Sequence, residues 1–230
     1  MKNICFCFFI ISILCVNSQS KAQVADLNNK WLLSAQVGYT DVAADRYYTI
    51  YPKVKGYSRS FTFSPTIGYF ISNSQQVGVQ VVFRNTFREN KTRDTEQSDL
   101  NQSFGLGVYT RNYSWLFKHF GFYLESGLRY TYDRSNSKTH YLSGLIGDTY
   151  TNKGQGGTFQ LYLRPGLTWQ INQRIGIDFT TRLFDAGYRY NKQKATDDHR
   201  FSKSEEDFWA NISNSNQLLQ NVQLGISVFI

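Results

Sequence analysis

Cysteine is confined to Cys5, Cys7 and Cys15, so the chain beyond Cys15 has no thiol. Disulfides, thiolate nucleophiles and thiolate metal sites are therefore closed to that part of it. Histidine is as scarce: His119, His140 and His199 stand far apart, at no metal-ligand spacing from one another. The prolines are only Pro52, Pro65 and Pro165, which leaves long stretches where a strand would meet no breaker. After the N-terminal segment no apolar run approaches the ~20 residues that a membrane-spanning helix requires, which excludes a helical membrane protein.

The N-terminus carries an address. Lys2 is followed by an apolar run from Ile4 to Val16, and Ser20-Lys21-Ala22 places small residues at the −3 and −1 positions of a cleavage site after Ala22. This is the pattern of a secretory signal peptide, and it divides the chain into a signal over 1–22 and one domain over 23–230. The formal charge is +8, and Lys2 and Lys21 leave with the signal. The remaining basic excess does not point to nucleic acid, because an exported chain does not meet it and no Lys/Arg-rich helix is present. Anionic lipid headgroups are the more natural partner.

Two-residue alternation dominates the remainder. It predicts strands at 31–40, 59–71, 77–88, 102–111, 120–133, 158–171, 174–188 and 218–230, because successive strand side chains point to opposite faces. One face collects Phe61, Phe63, Ile67, Val77, Val79, Phe83, Phe104, Leu106, Val108, Leu124, Leu128, Leu161, Leu163, Ile177, Leu224, Ile226 and Val228. The other holds Arg84, Arg88, Arg111, Glu125, Arg129, Arg164, Asp178 and Arg182. Short connections at 72–76, 112–119 and 172–173 alternate with long polar ones at 41–58, 89–101, 134–157 and 189–217, the asymmetry of an up-and-down transmembrane barrel.

A soluble barrel of lipocalin type would alternate too, with its apolar face inward. Glycine favours the opposite arrangement: Gly38, Gly68, Gly78, Gly105, Gly107, Gly127, Gly166, Gly176 and Gly225 all share the polar face. Small residues are most useful in the crowded interior of a narrow barrel, so the polar face is inside. Trp31, Tyr69, Trp115, Phe120, Phe122 and Trp169 near the short turns, with Tyr39, Tyr130, Tyr132, Tyr188 and Tyr190 near the long loops, suggest two interfacial girdles. The reading is an all-β, eight-stranded antiparallel up-and-down transmembrane β-barrel. Ten strands would follow if 141–150 extended into another hairpin.

A hairpin repeats within the chain. Pro65-Thr66-Ile67-Gly68-Tyr69-Phe70 with Val77-Gly78-Val79 parallels Pro165-Gly166-Leu167-Thr168-Trp169-Gln170 with Ile175-Gly176-Ile177, and each proline is expected to mark a bulge or bend. With these motifs the chain resembles the small outer-membrane β-barrel proteins of Bacteroidetes-type bacteria, related in architecture to the OmpA and OmpX barrels. The resemblance implies the outer membrane of a Gram-negative bacterium, with its lipid and lipopolysaccharide as surroundings. The ending Gly225-Ile226-Ser227-Val228-Phe229-Ile230 is similar to the C-terminal signal read by the barrel-assembly machinery, but closes on Ile230 after Phe229 instead of on an aromatic.

The chemistry-bearing residues concentrate inside. Glu125, Arg129, Arg164, Asp178 and Arg182 fall on consecutive strands as a candidate buried ion-pair ladder, with Arg84 and Arg111 adding positive charge. Such a ladder fills a closed lumen, since eight strands leave room only for side chains. The alternative is a narrow anion-preferring channel, because arginines outnumber acids. A lipid-modifying enzyme is a second alternative, with His140 and Ser143, or His199, Ser202 and Glu205, as the only nucleophile and base combinations in view. Asp197, Asp198 and Glu205–Asp207 among Lys192, Lys194, Arg200 and Lys203, and the basic Arg46, Lys53, Lys55 and Arg59, read as solvated loop charge. No cofactor, metal ligand set or catalytic residue is assigned.

Overall fold

A computed structural model describes residues 27–46, 54–92, 94–142, 149–195, 202–214, 218 and 221–230; the segment read as a signal peptide lies outside them. The described chain forms β1 (Trp31–Arg46), β2 (Val54–Ser72), β3 (Gln75–Lys91), β4 (Thr95–Phe117), β5 (Phe120–Tyr141), β6 (Thr149–Gln170), β7 (Ile175–Thr180), β8 (Phe184–Ala195), β9 (Ser202–Ile212) and β10 (Gln223–Phe229). Pairing is antiparallel throughout. It runs from β1 through β2, β3, β4, β5, β6, β7 and β10 back to β1, an eight-membered closed ring. Closure comes from Leu32–Gly38 against Phe229–Gln223, reinforced by Trp31 N donating to Ile230 O at 2.9 Å and Ile230 N to Trp31 O at 2.8 Å.

Two strands of the barrel are each broken in two. β7 and β8 both pair with β6, and β9 and β10 are the corresponding pieces of the last strand. The architecture is therefore eight strands around the ring. The ten-strand alternative fails because β5 and β6 pair directly from Phe120↔Trp169 to His140↔Thr149, which leaves no further hairpin between them among the described residues.

Pro165 explains the first break. Gly166 pairs with Thr180 and Leu163 with Phe184, so Thr181, Arg182 and Leu183 stand opposite only Arg164 and Pro165. That is a β-bulge beside a residue with no N–H to give; the Pro165 carbonyl still accepts from Thr181 N at 3.1 Å. Its partner in the repeat behaves differently. Pro65 pairs with Ala35 in unbroken register on one side, and on the other the ladder passes from Phe63↔Phe83 to Thr66↔Gln80 without a shift.

The ladders outrun the alternating hydropathy. Much of 89–101 and 134–157, expected as loop, is paired strand in β3 to β6, and the second short turn is only Lys118–His119. Beyond the lipid an outward residue no longer needs to be apolar, so pairing continues with polar partners such as Glu89↔Ser98 and Lys91↔Glu96, the latter pair 3.6 Å apart. Within the apolar band, Leu106 and Ile226 are more than half exposed while Gln36, Gln80 and Thr168 are buried. The oily face is outside. Trp31, Trp169, Tyr39 and Tyr130 lie on it, but Trp115, expected in the outer girdle, is turned into the barrel and buried.

The inward glycines have a specific use. Gly78 and Gly127 flank Tyr109 in the ladder, and Gly127 and Gly166 pair with Tyr162 and Tyr123. A Cβ on Gly78 would stand 2.7 Å from the Tyr109 ring, and one on Gly166 would collide with Tyr123. Each glycine is a notch that lets a neighbouring tyrosine lie against the wall. Gly166→Ala should therefore cost about 1–3 kcal/mol in wild type and much less in a Tyr123→Ala background. Urea unfolding in lipid vesicles reads this cycle, and equal costs in both backgrounds would contradict the fit.

Candidate functional site

The lumen is built in layers from the short-turn end. Asn29, with a left-handed backbone (φ 62°), turns the chain before β1 under the barrel, where Leu27 N and Asn28 N donate to Asn73 Oδ1 at 2.9 and 2.8 Å. Leu27 is thereby buried with Leu32, Phe70, Tyr113, Trp115, Tyr123 and Phe229. Tyr113 stacks on Trp115 with centroids 5.7 Å apart and meets Phe70 and Tyr123 at 5.4 Å each. Seven apolar or aromatic side chains thus form one buried cluster at this end. Composition had hidden this floor, although parity carried the signal: Tyr109, Tyr113 and Trp115 share the face of Arg111, and Tyr123 that of Glu125.

Charge sits directly above the floor. Arg111 Nε donates to Glu125 Oε2 at 2.7 Å, while Arg111 Nη1 lies 3.8 Å from Asp178 Oδ2 and Arg164 Nη1 3.7 Å from Glu125 Oε1. These four residues are at most 4% exposed. Asp178 also accepts from Ser227 Oγ, and the Arg111 guanidinium rests between the Tyr109 and Tyr123 rings, 5.0 and 4.8 Å from their centroids. Arg111 reaches from β4 to β7 across the interior. Arg111, expected only to add charge, is the residue that links the two acids.

Other members of the expected ladder take different partners. Arg129 donates to Gln160 Oε1 instead of meeting Glu125, and Gln160 Nε2 in turn donates to Asp185 Oδ2 at 3.1 Å. Arg182 pairs at 3.9 Å with Asp185, not with Asp178. Asp185 escaped the sequence reading for a physical reason: the bulge at 181–183 inverts parity, so a position that alternation assigns to lipid faces the lumen. Gln80 Nε2 donates to Tyr162 OH, joining β3 to β6 across the same space. Arg84 forms no ion pair among the described residues; with Arg88, Arg164 and Arg182 it lines a cavity of about 230 Å³ above the charged layer.

The loop candidates come out sparsely. His119 sits exposed on a turn, and His140 Nδ1 lies 3.0 Å from Thr149 Oγ1 at the far end of the β5–β6 ladder. Ser143, Lys53, Asp197, Asp198, His199 and Arg200 lie outside the described residues. Among the described residues no group of His, Cys, Asp or Glu is placed to hold a metal ion. Among the described residues no helix is long and apolar enough to cross a membrane, which says nothing against crossing by strands.

No protein-family model matches the chain, and comparison with curated proteins gives no match. Among solved structures it is similar to Neisserial surface protein A, with 17% identity, 86% of this chain and 96% of that one covered, and a TM-score of 0.26. It is similar to the outer membrane protein OprG from Pseudomonas aeruginosa, with 11% identity, coverage of 91% and 99%, and a TM-score of 0.41. A third is an outer membrane channel from Pseudomonas putida F1, with 8% identity, coverage of 90% and 96%, and a TM-score of 0.26. Likenesses this distant carry no argument about the present chain; its assignment as a transmembrane β-barrel rests on the closed ladder, the apolar exterior and the polar interior.

Proposed function

We propose that this is a non-enzymatic outer-membrane barrel of a Gram-negative bacterium, with a structural or surface-interaction role and a lumen sealed by its own side chains. The observation that carries the reading is the two-layer seal. The floor of Leu27, Leu32, Phe70, Tyr113, Trp115, Tyr123 and Phe229 blocks one end, and the Arg111–Glu125–Arg164 cluster with Asp178 fills the space above it. A buried charge is tolerated when paired, and here each acid faces a guanidinium. The strand ladders that project past the apolar band support a role outside the membrane: β9 pairs with β8 and, among the described residues, with no second strand, while its Phe208 is 82% exposed. An unpaired strand edge carrying an exposed aromatic suits pairing with another chain. Lipid and lipopolysaccharide are the proposed surroundings, and Gly225, Val228, Phe229 and Ile230 the proposed contact for the barrel-assembly machinery.

Cell fractionation tests the placement. The protein should sediment with outer membranes, and its unboiled form should migrate differently from the boiled form on a detergent gel. Recovery as a soluble, detergent-free monomer would contradict the assignment.

The seal is tested separately. Glu125→Leu leaves Arg111 and Arg164 without a common partner and should lower stability by about 3–5 kcal/mol in urea unfolding. Purified wild type in planar bilayers should give no steady conductance. A water-filled pore predicts the reverse, a variant of near-normal stability and discrete anion-selective openings.

A further inference from the structure

The cavity above the charged layer has an unusual lining. Four arginines, Arg84, Arg88, Arg164 and Arg182, converge on it from β3, β6 and the bulge, and no carboxylate is among its lining residues. Hydroxyls fill the spaces between them; Ser60 Oγ and Thr86 Oγ1 stand 3.0 Å apart on one wall, with Thr62 and Thr180 also lining the space. The acids nearby are engaged by other groups or reach these arginines only at long range, and Asp133 accepts from Ser103 Oγ at 2.5 Å and Thr158 Oγ1 at 3.0 Å. Glu125 is held by Arg111 at 2.7 Å and Asp178 by Ser227, and the carboxylates nearest the cavity arginines stay at 3.7 Å from Arg164 and 3.9 Å from Arg182, beyond hydrogen-bond range. Arg84 and Arg88 form no ion pair among the described residues, and Arg164, 4% exposed, has only the 3.7 Å ion pair of its Nη1 with Glu125 and no hydrogen bond there. A guanidinium so placed is costly unless something negative satisfies it.

We propose that this cavity binds a multiply charged oxyanion, a phosphate or small phosphomonoester taken from the aqueous phase at the long-loop end. Guanidinium forks match phosphate oxygens two at a time, and serine and threonine hydroxyls donate to the remaining lone pairs. The volume of about 230 Å³ is below that of pockets for drug-sized ligands and suits a compact ion. The site is blind if the lumen is sealed, so this inference rests on the sealed-barrel reading for its role as a receptor instead of a transit point. Three of its arginines come from strands that the barrel ladder fixes and Arg182 from a bulge whose neighbours Thr181 and Leu183 are hydrogen-bonded to β6, so the anion finds a preorganised cradle.

Calorimetric titration of the folded protein in maltoside detergent at constant ionic strength, with inorganic phosphate and separately with glycerol phosphate, tests it. Saturable binding with one anion per barrel is expected, weakened at least tenfold in Arg84→Gln/Arg182→Gln and unchanged in Arg59→Gln, whose side chain pairs with Asp41 on the outer surface. Ser60→Ala/Thr86→Val keeps every charge and should weaken binding about threefold, which covers the case of an arginine variant that fails to fold. Absence of saturable binding, or equal affinity in wild type and both cavity variants, would overturn the site. Binding seen only when lipopolysaccharide supplies the phosphate would overturn the aqueous source. Phosphate binding in a protein that conducts would keep the site and overturn the seal.

Discussion

In hydrocarbon no water is present to satisfy a backbone N–H or C=O, and this single constraint governs the whole chain. Every strand must be paired on both edges across the bilayer, so the ring has to close, and it closes between β1 and β10 over Leu32–Gly38. Where the chain departs from regular pairing it does so under supervision of that rule. The bulge at 181–183 sits beside Pro165, which lacks the donor, and Thr181 N and Leu183 N still find the carbonyls of Pro165 and Leu163 at 3.1 Å. The second edges of β9 and upper β1, left without neighbouring strands among the described residues, belong to the part of the barrel that projects toward the long loops.

A ring of eight strands has a narrow interior, and the contents follow from that. Glycine notches admit tyrosine rings, the rings flank guanidiniums, and the guanidiniums reach acids on other strands. Tyr109 over Gly78, Arg111 beside Tyr109 and Glu125 against Arg111 form one such chain of dependence. Removing the acid would strand Arg164 and leave Arg111 with Asp178 alone, whereas widening a glycine would displace a ring. The upper lumen breaks the pattern of pairing: its arginines outnumber the acids within reach, which is why the cavity stands apart from the filled layer beneath it.

The barrel and its inside-out polarity were legible in the sequence because lipid contact forbids charge on alternate residues, as in Phe104, Leu106 and Val108 against Gly105, Gly107 and Tyr109. Strand ends were not, because beyond the lipid the outward face is free to be polar while hydrogen bonding continues. Arg111 was legible as an interior residue but not as the bridge, since alternation gives a face and no height or reach. Trp115 was misplaced outside by its residue type, although its parity with Arg111 places it within. Asp185 was invisible because one extra residue in the bulge exchanges the two faces for the rest of the strand.

The central claim is that alternate residues face lipid and lumen in this order and not the reverse. Because the chain beyond Cys15 has no cysteine, single cysteines at 104–109 of β4 can carry a spin label without competing sites. Collision with oxygen, which concentrates in the bilayer, should peak in lipid vesicles at Phe104, Leu106 and Val108 and fall at Gly105, Gly107 and Tyr109, a period of two. Peaks at the second set, or no period at all, would contradict the account.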